Sequence, residues 1–539
     1  MADIVVYGGT FAGVAAAAKA AANAPSKAVA LIVPDTSNML GGIGTAGGQN
    51  FMDVRAEAAW PRQQKGTFNW WYNSVGHYYN PATLSNLMKA DLAKYKNITY
   101  YYGYDITSFT YSTSPYRITS VTLKTIYRAA TGYVVWGTLT QKITGTVFID
   151  ASDDGRLARL ANFGGTVGRY DWPADRLDAE ERGLSGRARQ QAATLMIKIR
   201  GVNPVITGDS NYKTITLANS VVKGSVTGGY GGVATYKNNA NIVNFNNKYG
   251  SQGYAIKPFN IAQAGPNSQD YWINTLLVFN VDGRANERDV GTTNYPTNMR
   301  TDYKNVDRAW VDARNFIRNT SAFLTALKSF PSLSNAAIVT DVYGNPVVGE
   351  MLYIRETIHM AGTSQKANGT ENTNYALTAN EAHKAGNSPY IGGDVSNYAT
   401  RIGLNFYWTD INAYKFADMR DASNKYIWGH EIALKLRPDI SAKTDPITAS
   451  SPINPVYVPY NILTSQYVAN LLIPGYATGA SSFAWSEVRV IPNLTVLGDA
   501  AGIAAAYAVT NNKSPLYFVQ SDITKIQASL AAAGAKLEK

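Results

Sequence analysis

The chain has 539 residues, 45% of them apolar and only 16% charged, with a formal net charge of +11. That apolar content excludes wholesale disorder, and the length suggests about three or four units, or two large ones. The absence of cysteine excludes disulfides, thiolate zinc sites, cysteine-held iron–sulfur clusters and a cysteine nucleophile, and four histidines leave little for a multi-histidine metal site.

In chain order, Asp3-Ile-Val-Val-Tyr7 is a short β-branched run closed by Gly8-Gly9, which predicts a buried strand. The alanine-rich stretch Val14 to Ala22 predicts a helix, and Ala28 to Val33, stopped by Pro34, a second strand. Strand, glycine turn, helix and strand within about 30 residues make a βαβ unit and imply a parallel sheet. A helix is expected over about Pro81 to Lys94. β-rich segments follow at 98–102, 105–111, 118–127, 133–140 and 146–149, with turn signals at Ser114-Pro115 and Thr131-Gly132. These predict a meander ahead of a return strand. The stretch from about Gly164 to Asn454 is rich in Asn, Thr, Tyr and Gly, shows no repeat, and holds one expected helix over Val306 to Leu327. The end returns to alternation: a strand over Asn493–Gly498, a helix over Ala500–Thr510 and a terminal helix over Ile523–Ala533.

Chemistry concentrates in the first glycine turn. A strand feeding a helix through close-set glycines lets backbone N–H groups and the helix N-terminus face a pyrophosphate. Here the turn reads Gly8-Gly9-Thr10-Phe11-Ala12-Gly13, with Thr10 in the middle glycine slot, bringing a hydroxyl that can donate a hydrogen bond. A ligand-free βα turn is the alternative. Asp35 is the only acid near the end of the second strand and is the candidate for a ribose hydroxyl, or else a turn residue before Thr36. The loop Leu40-Gly41-Gly42-Ile43-Gly44-Thr45-Ala46-Gly47-Gly48 cannot be helix interior and suits backbone laid against a flat or charged ligand. Aromatic residues cluster at Phe68–Tyr72 and His77–Tyr79, where rings and Asn suit sugars or planar molecules and suit ordinary packing equally. The positive excess forms no run of five or six like charges, so no nucleic-acid partner is expected, and no stretch approaches the roughly 18 apolar residues of a membrane span. Strand-like residues from Asp3 argue against a signal peptide, while zero cysteines, low charge and abundant Asn, Thr and Tyr lean toward an exported protein whose leader has been removed. Oligomeric state is not legible.

The N-terminal segment resembles the opening of the FAD-dependent oxidoreductases of the glutathione-reductase superfamily, in particular the branch whose first turn reads G-G-T-P-A-G, with Phe11 in place of Pro. Leu40-Gly41-Gly42 is similar to the branch's G-G motif along the FAD diphosphate, which brings in Gly44 and Thr45 behind it. Val147-Phe-Ile-Asp-Ala151-Ser152-Asp-Asp-Gly155 resembles V-I-D-A-T-x-x-G, which passes the adenosine side. Ile354-Arg355-Glu356-Thr-Ile-His359-Met-Ala-Gly362 is similar to I-R-E-S-R-R-I-V-G, and Tyr375-Ala-Leu-Thr378 to the Y-x-L-T after it. Arg489-Val-Ile-Pro492 precedes Gly498-Asp499-Ala500-Ala501-Gly502, which resembles the closing strand–helix turn that meets the ribitol and phosphate.

The resemblance implies an α/β fold: a Rossmann-like FAD-binding domain with a β-meander insertion, formed discontinuously by residues 1–165 and 455–539, plus an α+β substrate or cap domain over 166–454. It implies FAD as cofactor, whose chemistry the protein positions and tunes, and a small-molecule substrate, hydroxylated or planar. Arg355, Glu356 and His359 are the catalytic candidates, a histidine suiting proton transfer at neutral pH; a structural Arg355–Glu356 ion pair is the alternative. His430 is an outside candidate. Val33 stands where the branch has a Glu, and Ile358-His359 replaces its Arg-Arg pair, which makes an anionic substrate a less secure expectation. About ten extra residues separate Gly362 from Tyr375. A degenerate relative that binds without redox turnover is the non-enzyme alternative. A nicotinamide enzyme is disfavoured because it has no need of the 498–502 segment.

Overall fold

The computed structural model describes the chain apart from residues 162–163, 173, 185, 204–219, 223–224, 228, 232–238, 361, 366–370 and 439–451. Ala361 of the middle motif and much of the Asn/Tyr-rich stretch before Asn239 lie outside the described residues.

The first sheet is parallel and draws on both ends of the chain. Its strands are β1 (Ile4–Tyr7), β2 (Val29–Val33), β3 (Ile98–Tyr102), β7 (Val147–Asp150) and a short strand Leu471–Leu472, ordered Leu471–Leu472, β7, β1, β2, β3. Ile4 pairs with Val29 on one side and Val147 on the other, and Leu471 with Phe148. Both faces are covered, so β1, β2 and β7 are buried throughout, which is why they read as unbroken apolar runs. Between β3 and β7 the chain makes the expected meander, β4 (Tyr104–Thr113), β5 (Tyr116–Arg128) and β6 (Val134–Thr144), an antiparallel three-stranded sheet.

A second, antiparallel sheet contains β8 (Ala193–Arg200), β9 (Tyr254–Gln263) and β10 (Asp270–Val278), with short edge strands Gly229–Gly231 and Ala337–Ile338. The helix expected over Val306–Leu327 is two, Val306–Asn319 and Ser321–Lys328, broken where Thr320 adopts an extended conformation. Asn, Thr and Ser in succession compete for backbone hydrogen bonds and favour such a break. Trp310, Ile317 and Phe323 of the two helices share a core with Ile197 and Ile273 of the sheet. Before Tyr375, the strands Gly362–Gln365 and Glu371–Tyr375 pair antiparallel.

One expectation is overturned at the C-terminus. Asn493–Leu497 is not a strand; it lies within a single helix, Ile491–Thr510. A short, fully buried apolar run carries no periodicity that separates strand from helix, and Pro492 starts the helix where a missing N–H costs nothing. The strand that closes the parallel sheet lies earlier, at Leu471–Leu472.

Helix Ile491–Thr510 packs along the first helix, α1 (Phe11–Asn23), closely enough that a Cβ on Gly498 would strike the Ala12 carbonyl oxygen and one on Gly502 that of Ala16. Alanine at either position would force the helices apart, and we expect Gly498→Ala and Gly502→Ala each to cost about 1–3 kcal/mol, read as a lowered midpoint in urea unfolding. An unchanged midpoint in both would show that the contact is not limiting.

Candidate active site

β1 and β7 end side by side, and the turns that follow them build one wall of a cleft. Gly8, at φ +112°, passes the end of β7 so closely that a Cβ would lie 2.7 Å from the Ala151 carbonyl carbon and oxygen. Gly13 is equally constrained, its α-carbon turned against the Gly8 carbonyl. Thr10 caps α1: its Oγ1 accepts the Gly13 N–H (3.2 Å) and donates to the Ala151 carbonyl (2.8 Å). The hydroxyl anticipated for a ligand is thus spent on tying the first turn to the second. The glycine loop rests on the same turn, since the Gly41 N–H donates to the Gly9 carbonyl (2.7 Å). Thr45 Oγ1 donates to the Leu40 carbonyl (2.7 Å) and shapes the loop, while Gly44 lies under the Phe11 ring.

The outer stretch of the cleft is lined by Gly8, Gly9, Thr10, Asp35, Gly42 and Ser152, among others. A tighter inner stretch continues past Thr10, between Phe11, Ala12, Gly41 and Ala151 on one side and Gly475, Tyr476 and Ile491 on the other. Asp153 borders both stretches. Gly475, which follows the closing strand, would place a Cβ 2.6 Å from the Ser152 carbonyl oxygen, so a third strand end converges on the same point. Sequence reading missed Gly475, although Leu471-Leu-Ile-Pro-Gly475 carries an apolar run with a breaker.

None of Gly498, Asp499, Ala500, Ala501 and Gly502 lines either stretch; all five are interior to the helix. Asp499 is buried and accepts the Thr67 N–H (3.0 Å) and hydroxyl (2.6 Å), and burial pushes its carboxyl up to about 6. The closing turn expected there is instead a helix–helix seam, and the argument it supplied against a nicotinamide enzyme falls with it.

The catalytic candidates separate. Glu356 and His359 are fully buried, with His359 Nε2 2.9 Å from Glu356 Oε1, Ser482 Oγ donating to the same oxygen and Gln191 Nε2 to Oε2 (3.2 Å). Arg355 does not pair with Glu356. Its guanidinium and that of Arg489 both reach Asp410 Oδ2, at 2.6 and 2.8 Å. Burial works to raise the Asp410 carboxyl, but Arg355 and then Arg489 hold it well below the usual carboxylate range. Arg489 also donates to the Tyr353 hydroxyl (3.0 Å). Tyr476 of the inner stretch lies within electrostatic reach of both arginines, and Ile354, next to Arg355 in the chain, lines the outer stretch. A second arginine beside Arg355, absent from the middle motif, is therefore supplied from a distant segment.

A glycine turn over the first strand of a parallel sheet, with a long cleft running from it, defines a dinucleotide-binding protein. Residues 3–530 match the family model of the FAD dependent oxidoreductases, and the protein belongs to that family. It is an FAD-dependent oxidoreductase with a Rossmann-like α/β fold. Among solved structures it is similar to the myxobacterial chondrochloren halogenase CndH (9% identity, TM-score 0.33, 68% of this chain and 66% of that one). It is also similar to p-nitrophenol 4-monooxygenase PnpA from Pseudomonas putida DLL-E4 (8%, TM-score 0.27, 65% and 67%) and to the aromatic hydroxylase CabE (12%, TM-score 0.23, 42% and 41%). The chain thus spans less than two thirds of the halogenase and of the hydroxylase, and likenesses this low do not bear on substrate. A search of curated proteins finds no match.

The cleft fits FAD. Asp35 Oδ1 accepts the Ser37 N–H (2.6 Å), but its Oδ2 is buried without a partner among the described residues in the outer stretch, where a ribose hydroxyl would complete it. Asp153 is the one awkward group. Burial, then Asp154, Asp35 and Asp150, push its carboxyl up to about 7. A diphosphate beside it favours the neutral acid further, so binding takes up a proton and affinity falls as pH rises through about 7. Flavin-fluorescence titration of the apoprotein should show the dissociation constant rising by up to about tenfold per pH unit above that point. The slope should vanish in Asp153→Asn and persist in Asp35→Asn; an equal slope in Asp153→Asn would assign the proton elsewhere.

Proposed function

We propose that this enzyme is a dehydrogenase or oxidase of a small, hydroxylated organic substrate, bound beside the cluster of Arg355, Asp410 and Arg489. The observation that supports the reading is a charged cluster apart from the dinucleotide turns: two buried guanidiniums, Arg355 and Arg489, share the partly exposed carboxylate of Asp410. FAD, when bound, supplies the redox chemistry. The chain's own residues then orient a substrate and hold charge beside it. Residues 1–165 with 455–539 serve as the FAD-binding part and residues 166–454 as the cap in this reading.

Purified protein reconstituted with FAD should be yellow, and anaerobic addition of a substrate should bleach it; a colour that no hydroxylated compound bleaches would defeat the proposal. Arg355→Met should keep the flavin and lose at least about tenfold in turnover, because it removes a charged contact beside the substrate. Glu356→Gln and His359→Ala, which act behind Arg355, should lower stability by about 1–3 kcal/mol, seen in thermal unfolding, and reduce turnover per bound flavin by less than Arg355→Met does.

A further inference from the structure

Two charged side chains beside the Arg355–Asp410–Arg489 cluster have no partner of their own. Lys257 and Asp53 are both half-buried, and among the described residues neither makes a side-chain hydrogen bond or ion pair. Each lies within electrostatic reach of the other and of Arg355, Arg489 and Asp410. Asp53 follows the glycine loop, whose Gln49 Oε1 accepts from Asn274 Nδ2 (3.1 Å) of β10, so loop and sheet are joined here. Lys257 stands where β9 slips register against β10, between Ile256 and Asn260, with Pro258 in the irregular stretch and the Thr275 hydroxyl donating to the Lys257 carbonyl (2.6 Å). Irregularities of this kind re-aim side chains and recur next to active sites, and a strand accommodates proline there.

Three basic side chains, Arg355, Arg489 and Lys257, lie within electrostatic reach of two carboxylates, Asp410 and Asp53, and both guanidiniums are taken up by Asp410. A half-buried lysine in that position is costly unless an anion joins it. The strain shows in its titration: burial and then Arg355 push Lys257 down to about 7. Asp53 meanwhile offers an acceptor that no donor among the described residues fills. We propose that Lys257 and Asp53 form the substrate subsite of this enzyme and take a small carboxylate that bears a neighbouring hydroxyl, the carboxylate on Lys257 and the hydroxyl donating to Asp53. The proposal rests on the substrate site proposed above and specifies what occupies it.

The test is a titration of the FAD-loaded enzyme, followed by flavin absorption, with glycolate, acetate and ethylene glycol. Glycolate should bind saturably, acetate more weakly, and ethylene glycol not over the same range. Lys257→Met should weaken glycolate at least about tenfold, Lys257→Arg should stay within a few-fold, and Asp53→Asn should bring glycolate down to the level of acetate. Ethylene glycol matching glycolate, no response to either carboxylate, or glycolate unaffected by both Lys257→Met and Asp53→Asn would overturn the subsite. A variant that loads no flavin leaves the decision to the other two. Glycolate binding without bleaching by any substrate would defeat the redox reading and leave the subsite standing.

Discussion

The cleft exists because the two ends of one chain meet backbone to backbone. α1 and the long C-terminal helix approach through Gly498 and Gly502 with no side chain between them, and the ends of β1, β7 and Leu471–Leu472 converge through Gly8 and Gly475 on Ala151-Ser152. A methyl group at any of these points would push a strand end or a helix outward and open the turn that Thr10 holds shut. Such contacts gain little as hydrogen bonds. Their value is geometric, since backbone N–H groups can face a phosphate only where no Cβ intervenes.

The cleft is charged in the opposite sense to a simple phosphate site, since the carboxylates Asp35, Asp153 and Asp154 line its outer stretch. Nearby arginines do not offset the acids, because Arg288 is committed to Asp105 and Arg128 to Glu350. The diphosphate must therefore rely on backbone and on the helix N-terminus, with Asp153 protonated. The Arg355–Asp410–Arg489 cluster is different: two buried guanidiniums share one partly exposed carboxylate, and their excess positive charge biases whatever binds there toward negative charge.

Much of this was legible in the sequence, for identifiable reasons. β1, β2 and the meander carried strong local signals: β-branched runs, glycine stops, and a Ser-Pro turn between β4 and β5. Gly8 to Gly13 could be read because a tight turn demands particular residues at fixed spacing. The C-terminal assignment failed because Leu494 to Leu497 is buried on every side, which erases the period that separates helix from strand. Arg355 could be picked out from its motif, but its partners could not. Asp410 and Arg489 come from segments 55 residues downstream and further, and no local pattern announces a shared carboxylate. Lys257 was invisible for a related reason, since its significance lies in a slipped register between two strands.

The buried Glu356–His359 pair, chosen as catalytic on residue type, has a different logic. Glu356 accepts from Ser482 and Gln191 as well as lying against His359, and Ser482 opens the helix Ser482–Val488. Trp485 on that helix donates its indole N–H to the Arg355 carbonyl (2.9 Å). The network therefore grips the backbone on either side of Arg355, through Glu356 and through Trp485. A guanidinium with three rotatable carbons gains precision when its own backbone is pinned, because less freedom is left to lose on forming its bonds to Asp410. The Glu and His thus act behind Arg355, fixing where it stands, and a buried, largely satisfied polar network suits that task better than it suits exchanging protons with a substrate.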